Sequence, residues 1–191
     1  MVTFRKADPS DFPKILALQK DNLLRNLEPQ AQQDGFLSIE YSHDQIVQLN
    51  KELGIFIAID SGNLSGYLIA QTLDFALQSP MISSMVRRFP DVLYISRPLS
   101  GYRTFIYGPI CIDKRSRGQG VLEGLFEIML QIFKGQYDIG VAFVSEQNPR
   151  SLHAHQDKLD MKVVDEFEFN GQIYRTLVFW VERKGQEKKI K

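Results

Sequence analysis

The sequence predicts a single mixed α/β (α+β) domain, built on a mostly antiparallel sheet of about seven strands flanked by helices, and three stretches carry that expectation. Gly54 to Asp60 (GIFIAID) and Gly66 to Leu73 (GYLIAQTL) are apolar runs joined by a turn-rich linker of hairpin length, Ser61 to Ser65, which makes an antiparallel pair. Phe105 to Ile112, an amphipathic helix from Gly118 to Phe133 and the strand Ile139 to Val144 form a strand, crossover helix and strand, hence one right-handed parallel unit. Lys162 to Phe169 and Gln172 to Val181 flank Asn170-Gly171, the strongest two-residue hairpin signal.

Taken in order, Val2 to Ala7 suits a first strand, and Asp8-Pro9-Ser10-Asp11 is a turn that offers caps for a helix from Phe12 to about Leu27. Ile15, Leu16, Leu18, Leu23, Leu24 and Leu27 supply its apolar stripe. Glu28 to Tyr41 is polar and without period, the composition of a solvated or substrate-facing connection. A second helix is expected over His43 to Leu53, ended by Gly54. Asp74 to Arg103 reads as an insertion between strands, with Phe75, Leu77, Met81, Ile82, Met85 and Val86 at partly helical spacing broken early by Pro80; packing against the domain is favoured over a lid or a dimer contact. The central helix carries Val121, Leu122, Leu125, Phe126, Met129, Leu130 and Phe133 on one face. Pro149 suits the first turn of a helix from Arg150 to Leu159. The domain is expected over 1–183, with 74–103 inserted and 184–191 a charged tail.

Composition narrows the function classes. Lys plus Arg and Asp plus Glu are both 23, so the overall charge gives no reason to expect a nucleic-acid or membrane partner, and a small molecule is the expected one. Cys111 is the sole cysteine, which excludes an internal disulfide and a cysteine-rich metal site and fits a reducing compartment. The first residues lack the apolar core of a signal peptide, and no apolar run approaches the roughly 20 residues that span a bilayer, so a cytoplasmic location is expected.

The chemistry concentrates in Thr104 to Gly124 (TFIYGPICIDKRSRGQGVLEG). An apolar strand enters a turn with Arg115, Arg117, Gly118 and Gly120, which opens directly into a helix; the unpaired N–H groups and positive dipole end of a helix start receive phosphate when no side chain blocks the approach. A Walker P-loop is excluded, because no Gly-Lys-Ser/Thr follows. Gly118-x-Gly120-x-x-x-Gly124 is a near miss to a dinucleotide fingerprint, but the 45 residues after Glu146 read as one helix and an antiparallel hairpin, too little to continue a doubly wound sheet.

Ile112-x-x-x-x-Arg117-Gly118-Gln119-Gly120-Val121 resembles the acyl-CoA-binding motif of the GNAT-type N-acetyltransferases, and Asn148-Pro149-Arg150-Ser151-Leu152-His153-Ala154-His155 resembles that family's second motif. Leu159-Asp160-Met161 stands where the family has Leu-Gly-Phe, and the order of elements also agrees, so the resemblance covers most of the chain. It departs at Leu122, where a Gly or Ala is usual, and the family's second-motif Tyr falls at His155 or, because the spacing to Leu159 is one residue longer than usual, at Gln156.

The resemblance implies a GNAT-like acyl-CoA N-acyltransferase fold, acetyl-CoA as co-substrate without a metal, and transfer of an acetyl group to a primary amine of a small molecule or peptide by direct attack. It places the cofactor on the amides of Gly118, Gln119, Gly120 and Val121, against Leu122, with charge from Arg117, the pantetheine arm along Ile110, Cys111 and Ile112, and further contacts from Asn148, Ser151 and His155. Catalytic candidates are His155 as acid, Glu146 as base or amine holder, and Tyr107 as second choice for that task, with backbone N–H groups polarising the carbonyl. Pro109 beside Gly108 marks a bulge or break where the family splays two strands. The alternative is a non-catalytic CoA-binding or interaction domain of the same fold; monomer and homodimer are both compatible.

Overall fold

The computed structural model describes residues 1–182; the charged tail expected at 184–191 lies outside them. The chain starts with β1 (Thr3–Lys6) and a capping box in which Asp8 accepts from the Ser10 amide while the Asp11 carboxylate accepts from the Asp8 amide, launching α1 (Phe12–Asn22). α1 stops well before Leu27. Leu23 turns extended and bridges Leu37, with Leu37 N–H donating to Asn22 and Leu24 N–H donating to Leu37, so a tertiary pairing overrides the apolar stripe that continues in sequence. A single turn, α2 (Pro29–Gln32), interrupts the polar connection, and a Ser42/Gln45 capping box starts α3 (His43–Glu52).

β2 (Gly54–Asp60) and β3 (Asn63–Gln71) form the expected hairpin, but its turn is only Ser61-Gly62. Both turn residues have positive φ, the two-residue geometry that matches strand twist, so β3 starts three residues earlier than the apolar run suggests. The insertion comprises α4 (Leu73–Ala76), α5 (Pro80–Val86) and a small hairpin of β4 (Leu93–Tyr94) and β5 (Arg97–Pro98). Pro80 opens α5 rather than breaking it, since the first helical position needs no N–H. The insertion packs as a layer: Ile82, Met85, Phe89, Val92 and Leu99 are buried against Ile139, Val141 and Val178.

β6 (Thr104–Ile112), α6 (Val121–Phe133) and β7 (Ile139–Ser145) form the crossover unit, followed by α7 (Pro149–His153), a π-helical turn at Ala154–Lys158, and the closing hairpin β8 (Lys162–Phe169) and β9 (Gln172–Trp180). α6 begins at Val121, three residues later than expected, because Gly118 and Gly120 hold left-handed conformations outside the helix. The seven-stranded sheet runs β1-β2-β3-β6-β7-β9-β8 and is antiparallel except at β6–β7. Alternate residues face opposite layers: Phe56, Leu68, Phe105, Ala142 and Val144 meet α6, while Ile55, Ile57, Tyr67 and Ile69 meet α1 and α3.

The β6–β7 ladder is short. Only Thr104–Ile106 pair with Ile139–Val141, although both strands continue. At the closed end, Arg103 places its backbone amide and guanidinium on the Asp138 carboxylate, the closest guanidinium contact being 2.7 Å. At the open end, Gly108 and Pro109 bulge out of the β3–β6 register, so that Ala70 faces Tyr107 but Leu68 faces Ile110. The Gly108–Pro109 peptide is cis.

Candidate active site

The opening between β6 and β7 leads into a cavity of about 380 Å³, roofed by the Asp34 to Leu37 segment and walled by Ile110, Cys111, Ile112 and the start of α6 on one side and by Asn148, Ser151 and His155 on the other. α6 has no side-chain cap, so its first amides keep their donors for something else. Gly118 and Gly120 have φ of 76° and 79°, and a Cβ at either would meet nothing within 4 Å, so the turn offers bare backbone to open space. Bare backbone donors at an uncapped helix start are suited to receive a phosphate group.

A second cavity of about 70 Å³ adjoins the first and shares Phe36, Leu37, Ile110, Asn148, Ser151 and His155 with it. It lies at the splay itself, lined further by Gln71, Tyr107, Gly108, Pro109, Phe143 and Ser145. Access thus runs from the glycine turn, past His155, to the gap between the two strands.

Solved structures show where this architecture has been seen. An N-acetyltransferase from Staphylococcus aureus Mu50 superposes with a TM-score of 0.62 at 15% identity, covering 95% of this chain and 99% of that one. A GNAT-family acetyltransferase from Streptococcus agalactiae 2603 gives 0.64 at 16% identity over 95% and 96%. The fold is that of the GNAT-type acyl-CoA N-acyltransferases. Among its representatives, yncA from Salmonella typhimurium was solved with its cofactor acetyl-CoA and matches with a TM-score of 0.62 at 13% identity over 99% of both chains. No protein-family model matches the sequence, and no curated protein does.

Within this GNAT fold the residues named from sequence fall as follows. Ile110, Cys111, Ile112, Arg117, Gly118, Gly120, Val121, Leu122, Asn148, Ser151 and His155 all line the large cavity, whereas Gln119 does not and donates its side-chain amide to the Arg115 carbonyl. Arg117 is engaged by the protein: its guanidinium donates to the carbonyls of Ile112 and Asp34 and to Asn22 Oδ1. Arg115 pairs with Asp113. Leu122 is buried among the core side chains of α6, with one edge on the cavity. Cys111 is a core thiol pushed up to about 12 by burial.

Asn148 does two things. Its Oδ1 accepts from Ser151 N–H to start α7, and its Nδ2 donates to the Phe36 carbonyl at 3.2 Å, fastening the roof. His155 is buried, and its Nδ1 lies 2.7 Å from the Ser151 carbonyl, which makes Nδ1 the protonated nitrogen of a neutral ring. Burial lowers its pKa, so the imidazolium is disfavoured and Nε2 carries no proton to give. The π-helical turn absorbs the extra residue noticed between His155 and Leu159 in the sequence and lets His155 face inward.

Tyr107 stands edge-on to His155, ring centroids 5.5 Å apart, with its hydroxyl buried and without a hydrogen-bond partner. Burial raises its pKa, so it remains a protonated phenol. Glu146 lines neither cavity; its carboxylate pairs with Arg175 at 2.8 Å on the outer surface. Sequence reasoning missed Gln71, and it placed the Asp34 to Leu37 roof only within the Glu28 to Tyr41 connection read as solvated or substrate-facing, with no residue of it singled out. Gln71 ends an apolar strand run and carries no signal of its own, while the roof's only signal is the loss of period after Leu27.

Proposed function

We propose that the chain is an acetyl-CoA-dependent N-acetyltransferase acting on a primary amine of a small molecule or peptide. The observation that carries this is the continuity of the two cavities: an uncapped helix start with bare left-handed glycines opens, past His155, onto a splay between parallel strands. Gly118, Gly120, Val121 and Leu122 would hold the pyrophosphate by backbone amides, and Ile110 to Ile112 would pair with the arm. Bound acetyl-CoA would supply an activated acetyl group: the amine nitrogen forms the new C–N bond, the C–S bond breaks with its electron pair on sulfur, and the proton lost by nitrogen balances the one sulfur gains.

The chain's own groups divide the proton work. Tyr107, a buried phenol whose hydroxyl lacks a partner, holds a proton at the splay and is the donor toward a leaving thiolate. His155 Nε2, the unprotonated ring nitrogen, is an acceptor rather than the acid expected from sequence. Glu146 is better placed to hold Arg175 than to serve as a base.

One observation favours the second reading, a non-catalytic CoA-binding domain: among the described residues no carboxylate lines the small cavity. Calorimetric titration with acetyl-CoA together with a thiol-release assay over an amine panel separates the two. Binding with turnover supports the transferase, binding without turnover the rival, and binding of a nicotinamide dinucleotide in place of acetyl-CoA sinks both.

A further inference from the structure

We infer that the small cavity is an acceptor subsite for an amine that is uncharged at neutral pH, read by the Gln71 side-chain amide. This rests on the acetyl-transfer reading above. Two features of the cavity carry it.

The first is the cavity's neutrality. Its lining is Phe36, Leu37, Ile39, Pro109, Ile110, Phe143 and other uncharged residues, and among the described residues its only titratable side chains are Tyr107 and His155. Both stay neutral near pH 7, the phenol because burial raises it and the imidazole because burial lowers it. The nearby charges are engaged elsewhere: Asp34 with Arg150, and Glu146 with Arg175. An ammonium entering such a site leaves water for a lining that holds no counter-charge, a cost that burial without a partner makes severe. An aromatic amine or a hydrazine brings a free lone pair and no charge.

The second is Gln71. It is 1% exposed, and its Nε2 donates to the Gly108 carbonyl at 2.6 Å. That bond fixes which end of the amide is which, and leaves Oε1 as a buried acceptor without a partner. Tyr41, whose hydroxyl is likewise buried without a partner, lies beside the same amide. A buried acceptor left unmatched is costly, and an incoming N–H removes that cost. The bulge that exposes the Gly108 carbonyl to Gln71 is the same one that opens the strands, so the reader of the amine and the gap through which the acetyl group arrives share one piece of backbone.

The cavity is small, about 70 Å³, so only the nucleophilic end of an acceptor enters it.

The test uses the full chain with acetyl-CoA and two matched pairs of probes at pH 7.5: aniline and phenylhydrazine, neutral there, against benzylamine and spermidine, cationic there. Thiol release should give a kcat/KM at least tenfold higher for the neutral pair. Gln71→Leu should lower turnover of aniline by roughly tenfold or more, and Gln71→Glu should shift the preference toward benzylamine. Equal or better use of the cationic pair by the unaltered protein overturns the inference without needing any variant. So does an unchanged preference in folded Gln71 variants, checked by thermal melting. Failure of acetyl-CoA to bind in calorimetry, or binding with no turnover of any of the four probes, marks the failure of the underlying reading instead.

Discussion

Arg117 Nη1 donates to the backbone carbonyl of Asp34 at 2.7 Å, joining the glycine turn to a roof segment 83 residues earlier in the chain. The same guanidinium holds the Ile112 carbonyl and Asn22, so one side chain ties the end of β6, the end of α1 and the roof. A planar fork can span three such acceptors where an ammonium cannot. Arg117→Lys is therefore expected to keep the charge of the turn but release the roof. Hydrogen exchange at the amides of Gly35 and Leu37 should speed up severalfold, with acetyl-CoA affinity less affected than in Arg117→Ala.

Gly118 and Gly120 have open space where a Cβ would go, so alanine there clashes with nothing and costs only backbone strain, about 1–2 kcal/mol each. Gly120→Ala should lower the denaturant midpoint accordingly. On the present reading it should also weaken acetyl-CoA binding in calorimetry, because the methyl occupies the face offered to phosphate.

Leu122 is 8% exposed and packs within the α6 core. Leu122→Ala should lose roughly 2–3 kcal/mol of stability in urea titration. Acetyl-CoA affinity should change by less than about threefold, since most of the side chain faces the core rather than the cavity.

Acidification has a defined sign at His155. Its folded pKa lies below the ordinary 6.5, chiefly through burial, so below pH 6.5 the unfolded chain takes up a proton that the folded chain refuses. Stability should fall as pH drops through 6.5, by at most about 1.4 kcal/mol per pH unit from this group. His155→Gln should flatten that part of the profile. Asp138 and Asp165, whose carboxylates are held below 3.8 mainly by side-chain hydrogen bonds from Arg103 and Arg88, act only at lower pH and leave the two windows separate.

Cys111 should resist iodoacetamide at pH 8 in the folded chain. With its thiol pushed up to about 12, the thiolate fraction there is on the order of one in ten thousand. Mass spectrometry should show modification roughly a thousandfold faster once the chain is unfolded in guanidinium.

The sheet and the glycine-turn side of the large cavity were largely legible in sequence because their causes are local. Asn170-Gly171 forces its own hairpin, the α6 stripe repeats at helical period, and Arg117-Gly118-Gln119-Gly120 sits next to the strand that leads into it. What was not legible depends on distant partners. α1 ends at Asn22 because Leu23 meets Leu37, and Glu146 turns outward because Arg175 waits on β9. Gln71 becomes distinctive only when the bulge at Gly108 brings a carbonyl to it. The extra residue before Leu159 was visible, but only the π-helical turn shows that it leaves His155 inward.

The three-residue ladder between β6 and β7 makes the sheet two slabs on a common hinge, one ending at Ile112 and the other beginning at Ile139. Arg103 and Asp138 pin the hinge at its closed end, and α6 lies across it. A molecule seated in the gap would act as a staple between the slabs, contributing cross-links where the backbone supplies none. Mechanical pulling on the two ends of the chain should then yield the hinge first, and at a higher force when the gap is filled.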